Sequence, residues 1–307
     1  MVAFEVPEVD YTQYTNRQLA AIPLVILAAA LLVLSGWYVA TGDPVRMGTD
    51  FTGGTELRVQ TATPQSEFSD AFDEEIVSIN PVRSSDNTYI VTFPPSDPDE
   101  ERRIGQQARN ELEPVPGEEY CQGNAQDETC DVVKSVQGTS ASFGQSTQRL
   151  TLIGLGIAFV GMSVLVFLMF RTFVPSIAVV ISAFSDIVVP LALMNVLGIE
   201  LSLGTVAALL MLIGYSVDSD ILLNNHIIRR SGGFYESTYR AMQTGVTMTV
   251  TSLSAMAVMA LVAHFFNIVL LRSIGIVLVL GLATDLMNTY MLNLSLLRWW
   301  KFEGVAR

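Results

Sequence analysis

The stretch LSLGTVAALLMLIGYSVDSDILL, residues 201–223, is an apolar run with two carboxylates near its end. It contains no Lys or Arg, and its only charged residues are Asp218 and Asp220. A helix of roughly 20 apolar residues crosses the ~30 Å hydrocarbon core of a membrane. The stretch therefore predicts a membrane-spanning helix that places two acids at a depth where charge is costly.

Five other segments have the same length and apolar character. The composition agrees, because the chain is 50% hydrophobic and only 15% charged, with a mean hydropathy of +0.43. Such values exclude an ordinary soluble domain. The predicted spans are residues 19–40, 150–170, 174–197, 201–223, 246–266 and 273–297.

The topology follows from the termini and the short connections. Acidic residues precede the first span and its apolar core is long, which favours a permanent anchor over a cleaved signal peptide. Arg and Lys cluster after the second, fourth and sixth spans, so the positive-inside rule places both termini in the cytoplasm. The predicted parts are cytoplasmic tails at 1–18 and 298–307, a first transmembrane helix at 19–40, an extracellular domain at 41–149 and a five-helix bundle at 150–297.

The predicted extracellular segment is strongly acidic. It holds 20 acidic and 8 basic residues, a net charge of −12 out of −13 for the chain, and only 2 of the chain's 17 basic residues are Lys. Concentrated salt screens the self-repulsion of such a surface. We therefore expect a halophilic source and no nucleic-acid partner.

Alternating and helical patterns in this segment predict a small α+β domain. Strands are expected at 55–60, 88–93 and 131–137, and helices at 66–77 and 97–112. The first helix would be capped by Ser66 and would bury Phe68, Phe72, Ile76 and Val77. The order β-α-β-α-β favours a ferredoxin-like sandwich. The segment has no His and no distinctive acid pair, so we expect a binding or mechanical module without catalytic residues, cofactor or metal.

Two cysteines, Cys121 and Cys130, lie in the same segment. An oxidising exterior favours a disulfide between them, although two free thiols remain the alternative. Two Cys without a neighbouring His are a poor metal signal.

Four acids lie within the predicted spans, namely Asp186, Asp218, Asp220 and Asp285. No Lys or Arg lies at similar depth. Carboxylates at such a depth must be paired, hydrated, neutralised or bound to a cation. The four are therefore candidates for ion or proton coupling, and the alternative is polar contact between helices.

Helical geometry separates the acids of the fourth span. At 100° per residue, Asp218 and Asp220 point about 200° apart. Asp218 shares a face with Tyr215, and Asp220 shares one with Ser216. The span is therefore expected to meet two neighbours.

The first span is followed by GTDFTGGTEL, residues 48–57, in which a Gly pair permits a tight turn. With VQGTSASFG (136–144), GYSVDSDILL (214–223) and TSLSAM (251–256), this stretch makes the chain resemble the SecF branch of the SecD/SecF protein-export family, within the RND superfamily. The resemblance covers the whole chain, and DFTGGT is its specific element. The signature residues are Asp50, Phe51, Thr52, Gly53, Gly54 and Thr55.

The resemblance implies an all-α membrane domain of six transmembrane helices, half of an RND-type transporter, with an inserted ferredoxin-like exterior domain. It also implies a non-enzymatic role in Sec-dependent protein translocation, coupled to the proton or sodium gradient. The implied partners are SecD, the Sec translocon (SecY complex), unfolded exported polypeptide and the lipid membrane.

One departure affects the candidate acids. The bacterial motif after Gly-Tyr-Ser has Asn-Asp where this chain has Asp218-Ser219, so the family acid does not transfer by position; the sequence favours Asp218 over Asp220. A scaffold without ion coupling remains an alternative. Half of a small-molecule RND transporter is disfavoured because such chains carry twelve spans. An intramembrane aspartyl protease is disfavoured because Ala283 replaces the second Gly of Gly-x-Gly-Asp.

Overall fold

The computed structural model describes residues 11–82, 87–115, 131–229, 233–266 and 268–303, without the side chains of residues 12, 141 and 229. The chain divides into two compact units. The bundle unit comprises the described residues of 1–46, 153–261 and 270–307. The sheet unit comprises those of 47–152 and 262–269.

Six long apolar helices are sufficient to cross a membrane, which confirms the predicted number. The sixth is interrupted near its middle by a π-helical segment, Asn288–Asn293. The fifth helix begins at Phe234, well before the predicted residue 246, because the more polar residues that precede 246 are also helical. The long helices and the last segment are α1 (Asn16–Thr41), α5 (Ala141–Phe170), α6 (Phe173–Leu197), α7 (Leu203–Arg229), α8 (Phe234–Phe265), α9 (Val269–Met287) and α10 (Leu294–Phe302). The helices of the sheet unit are α2 (Thr49–Thr52), α3 (Phe68–Ala71) and α4 (Pro98–Glu111).

Helix α6 lies at the centre of the bundle unit. In the most apolar stretch of α6, 67% of the residues are buried, compared with 6% in the corresponding stretch of α5. It packs against α1, α7, the π-helical segment and α10. Pro190 lies inside α6 and has no N–H to donate to the carbonyl of Asp186.

The ends of these helices are fixed by local hydrogen bonds. Thr15 and Gln18 form a capping box that starts α1. Helix α6 ends at Gly198, which has φ +70°. Just before that end, the side-chain amide of Asn195 donates to the carbonyl of Pro44 at 2.9 Å and accepts from the N–H of Arg46 at 2.9 Å. Asn195, which has no marked role in the sequence pattern, therefore ties α6 to the residues that follow α1.

The strands of the sheet unit are β1 (Gly54–Gln60), β2 (Ser78–Pro81), β3 (Thr88–Phe93) and β4 (Val133–Thr139). They form a four-stranded antiparallel sheet of order β2-β3-β1-β4. With the helices the element order is β-α-β-β-α-β, which is the ferredoxin-like arrangement. The core is apolar and includes Leu57, Phe68 and Phe93, each less than 2% exposed.

Two expectations for this unit were wrong. The helix predicted over 66–77 is confined to a 3-10 turn at Gln65–Glu67 followed by α3, and Ser66 does not cap it. Helix α3 ends at Ala71, since the backbone of Phe72 is extended, and the chain then leads into β2, a strand that the sequence pattern did not indicate. Val77 is consequently 60% exposed instead of buried, whereas Phe68 and Phe72 are buried as predicted.

The family signature forms a helical turn and the start of β1. Gly53 and Gly54 adopt φ +79° and +151°, which L residues with side chains rarely adopt. Gly144 packs against this turn, and a Cβ there would lie 2.6 Å from the carbonyl oxygen of Phe51. Cys121 and Cys130 lie outside the described residues, so their disulfide stays a prediction.

Candidate functional site

Three of the four candidate acids come together inside the bundle unit. Asp186 of α6, Asp220 of α7 and Asp285 of α9 are each 1% exposed or less. They are close enough to interact electrostatically with one another. Asp218 lies apart from them, exposed on the opposite side of α7.

Asp186 accepts hydrogen bonds on both carboxylate oxygens. Ser216 of α7 donates to Oδ2 at 2.5 Å, and Asn288 of the π-helical segment donates to Oδ1 at 2.6 Å. Asp186 therefore connects α6 to both of its main polar neighbours.

Asp220 is held mainly by the π-helical segment. Its Oδ1 accepts from Thr289 at 2.9 Å and from Asn293 at 2.7 Å. Ser182 of α6 lies close enough to interact with the carboxylate, but Oδ2 has no hydrogen bond of normal geometry to any described residue.

Asp285 receives its hydrogen bonds from two hydroxyls. Ser219 lies 2.8 and 3.0 Å from its two oxygens, and Thr289 lies 3.2 Å from Oδ1. The Thr289 hydroxyl has one proton to share between Asp220 and Asp285. The Ser219 hydroxyl is likewise 2.9 Å from the backbone carbonyl of Ser216.

The π-helical segment explains how one helix donates hydrogen bonds to acids on two neighbouring helices, Asp186 on α6 and Asp220 on α7. Asn288, Thr289 and Asn293 all point into the cluster, and each is 0% exposed. A π-helical turn is wider than an α-turn and is common at functional sites. Here it places one donor against Asp186 and two against Asp220.

The cluster holds three carboxylates and no compensating cation. The salt bridges found in the described part of the chain involve none of the three. All donors to the acids are neutral hydroxyls or amides, and each hydroxyl has a single proton. Three ionised carboxylates in a buried site would repel one another strongly. The arrangement can therefore take up a proton. Within the described residues, no three His, Cys, Asp or Glu side chains form a group that could hold a metal ion.

Unpartnered acceptors point to the same chemistry. Within the described residues, Asp220 Oδ2, Asn288 Oδ1 and Asn293 Oδ1 are buried without a hydrogen-bond partner. Buried oxygen acceptors are normally satisfied. A proton on Asp220 would satisfy this requirement.

Asp218 belongs to an exposed stripe along α7. The stripe also contains Met211, Gly214 and Tyr215, and a Cβ on Gly214 would meet nothing within 4 Å. An acid facing lipid near the middle of a span is costly. The stripe therefore has the character of a helix–helix contact surface.

The sequence identified the acids but only part of their surroundings. It placed Ser216 on the Asp220 face. It did not assign Ser219, Asn293 or Tyr290 to the cluster. A weak signal was available, because Asn288 and Asn293 are five residues apart in an apolar span, which fits a π-helical spacing.

Comparisons with known proteins agree with this architecture. The family described as protein export membrane protein SecD/SecF, C-terminal, matches residues 122–303. The chain is 64% identical to the protein-export membrane protein SecF of Haloferax volcanii and 59% identical to that of Haloquadratum walsbyi, each over the full length of both chains. The SecF of Pyrococcus furiosus is 33% identical, covering 94% of this chain and 93% of that one. The two haloarchaeal relatives fit the halophilic character expected from the acidic segment.

The fold is also shared with a solved structure. The crystal structure of SecDF, a translocon-associated membrane protein from Thermus, matches with a TM-score of 0.67 at 20% identity. The match covers 96% of this chain and 39% of that longer chain. The chain is thus a multi-pass membrane protein, and it belongs to the SecF branch of the SecD/SecF family of protein-export membrane proteins.

Proposed function

We propose that this chain assists Sec-dependent protein export together with SecD, and that Asp186, Asp220 and Asp285 couple export to a proton or sodium gradient. The observation that carries the coupling is the sharing of the Thr289 hydroxyl by two buried carboxylates, neither of which forms a salt bridge with a described residue. One added proton lets an acid become a donor. Loss of that proton restores the repulsion between the carboxylates of Asp220 on α7 and Asp285 on α9, so protonation changes the packing of these helices.

Both termini are proposed to lie in the cytoplasm, with residues 41–149 outside the cell. The distribution of Arg and Lys supports this orientation. The sheet unit would then meet emerging unfolded polypeptide, and the chain would act beside the SecY translocon. Its apolar core, and the lack of buried acids among its described residues, suit a binding or mechanical role.

The exposed stripe of α7 is the proposed contact with SecD. A six-span half that exposes Asp218 needs a polar partner in the membrane. Cysteine crosslinking from Tyr215→Cys should trap SecD in native membranes. Crosslinks confined to a second copy of this chain would contradict the proposal.

Coupling is tested by Asp220→Asn, which preserves shape and removes ionisation. We expect export of a secreted reporter to fall to the level of cells lacking the chain, while abundance and co-purification with SecD persist. Asp218→Asn, two residues away and outside the cluster, keeps a polar side chain in the proposed SecD contact. Its export should therefore fall less than that of Asp220→Asn, and any loss should accompany weaker co-purification with SecD. Asp186→Asn and Asp285→Asn should resemble Asp220→Asn.

The second candidate is a scaffold for the translocon without ion coupling. The neutral donors around each acid favour it, because an Asn could also accept from them. Normal export in all the Asn variants would support the scaffold and end the coupling proposal.

A further inference from the structure

The end of the bundle unit where α1 begins and α10 ends, here called the inner end, holds a second polar group beside the acid cluster. Tyr290 follows Thr289 in the π-helical segment and is 7% exposed. Its hydroxyl has no hydrogen-bond partner among the described residues. Asp220, Asp285 and Tyr11 are all close enough to interact with it electrostatically.

Helix α8 approaches this hydroxyl through a glycine. A Cβ on Gly245 would lie 2.2 Å from the Tyr290 oxygen, so any larger residue would displace it. The Tyr290 hydroxyl is therefore enclosed by α8, while its ring packs with Met242 and Leu294 in the apolar cluster of the inner end.

The residues before α1 close over this cluster. Tyr11 is 8% exposed, packs in the same cluster and donates its hydroxyl to the Met242 sulfur at 3.3 Å. Burial raises the pKa of Tyr11 to about 12, so the phenol remains a donor over the physiological range.

One arginine of α10 fixes this segment in place. Arg298 donates to the carbonyls of Tyr11 and Tyr14 at 2.8 and 2.7 Å. Its Nε also donates to the Asn16 side chain. A planar guanidinium presents these donors in a rigid fork, which an ammonium cannot do.

We propose that Tyr11–Asn16 is a cover, pinned by Arg298, that closes the inner end of the polar site, with Tyr290 as the positioning residue beneath it. A proton or cation leaving Asp220 or Asp285 toward this end passes Tyr290 and requires the cover to open. The purpose of the cover rests on the proposed coupling, but its existence is tested independently of export.

The test measures access to Met242→Cys by a small water-soluble maleimide. It uses the full-length chain in native membrane vesicles, with Cys121 and Cys130 replaced by Ser. Arg17→Cys, at an exposed position, gives the rate of an open site. Met242→Cys should react far more slowly. Adding Arg298→Gln should accelerate it at least about tenfold, because losing hydrogen bonds to a charged group shifts a local opening equilibrium by that order.

Lys301→Gln is the matched control. Lys301 also binds the inner end: it donates to the carbonyl of Ile227 at 3.2 Å and lies over the ring of Phe234. Its loss should leave the labelling rate unchanged. Asn16→Ala removes one of the Arg298 contacts and should give an intermediate rate even if Arg298→Gln fails to fold. Equal rates at Met242→Cys and Arg17→Cys in the parent, or no acceleration in either variant, would overturn the cover.

Tyr290→Phe separates the cover from the coupling. It removes only the hydroxyl, so Met242→Cys should stay protected while export slows. Normal export with Tyr290→Phe would refute the role of Tyr290. Protection of Met242→Cys together with normal export in Asp220→Asn would leave the cover standing and remove the proposed coupling instead.

Discussion

The sheet unit and the bundle unit place acidic and apolar side chains in opposite ways. No acidic residue described in the sheet unit is buried, and its interior is formed by side chains such as Leu57 and Phe93. The bundle unit exposes apolar residues such as Val39, at 86%, and buries three carboxylates at its centre. The surrounding medium explains which side chains each unit exposes, because lipid favours apolar side chains and water favours charged ones.

The buried acids need a further explanation, because lipid does not require them. In the bundle unit each is surrounded by hydroxyls and amides from α7 and the π-helical segment. These donors offset part of the desolvation cost. Buried hydroxyls of the described sheet unit, such as those of Thr55 and Thr61, bond instead to Ser96 and to the carbonyl of Glu113. The difference between the two interiors is therefore one of local hydrogen bonding.

The largest effect is expected from placing an acid in the wrong interior. Leu57→Asp puts a carboxylate at a 0% exposed position surrounded by apolar side chains. It should destabilise the sheet unit by more than about 4 kcal/mol, enough to unfold it. Limited proteolysis of the full-length protein in detergent should then cut within residues 47–152.

Arg58→Asp is the control on the same strand and the opposite face, where residue 58 is exposed. It should leave the proteolysis pattern unchanged. Equal protection of both variants would mean that the sheet unit tolerates a buried acid and would remove the contrast between the interiors.

Much of this contrast could be predicted from the sequence. Charge-free runs such as 19–40 and 150–170 identify the spans, since their length matches the membrane. Alternation identified β1, β3 and β4. Strand β2 was missed because Ser78–Pro81 is short, ends in Pro and follows acidic residues whose pattern also fits a helix. Its existence depends on pairing with β3, which is a tertiary contact.

A smaller effect is expected from removing one donor of the acid cluster. Thr289→Val keeps the side-chain shape and removes the hydroxyl shared by Asp220 and Asp285. We expect a loss of about 1–3 kcal/mol, because both carboxylates lose a buried hydrogen bond. Thermal unfolding of the purified protein in detergent should show a lower midpoint.

Thr284→Val is the matched control on the same helix, since the Thr284 hydroxyl donates to its own backbone at Leu280. It should shift the midpoint much less. Equal shifts in the two variants would show that the cluster gains nothing special from Thr289.

The composition of the cluster was only partly predictable, for a geometric reason. The rotation of about 200° between Asp218 and Asp220 follows from α-helical geometry, but the sequence does not say which face meets the bundle centre. The structure places Asp220 there and leaves Asp218 on the exposed stripe. Asn293 was not predicted to join the cluster, because regular α-helical spacing through the sixth span does not put it on the same face as Asn288. The segment Asn288–Asn293 is π-helical, and this brings both side chains into the cluster.

A third prediction concerns the packing of helices around the cluster. Gly245→Ala adds a methyl group that would lie 2.2 Å from the Tyr290 hydroxyl. It should cost about 1 kcal/mol through overpacking and displace the Tyr290 ring. Gly154→Ala, where a Cβ meets nothing within 4 Å, should be neutral or slightly stabilising. Equal unfolding midpoints would show that α8 can move away from Tyr290 without cost.

The smallest effect is expected where the sheet unit holds its acids at the surface. Arg102 and Asp99 form an ion pair at 3.9 Å, with side chains 79% and 91% exposed. Water and salt screen such a pair, and ordering the long Arg102 side chain costs entropy, so Arg102→Gln should change stability by less than about 0.5 kcal/mol. Rising salt should reduce even this difference, because the charges lie in solvent. Urea unfolding of the full-length protein at low and high salt measures both quantities. A loss as large as that of Thr289→Val would mean that surface acids contribute as much as buried ones, which would contradict the contrast between the two units.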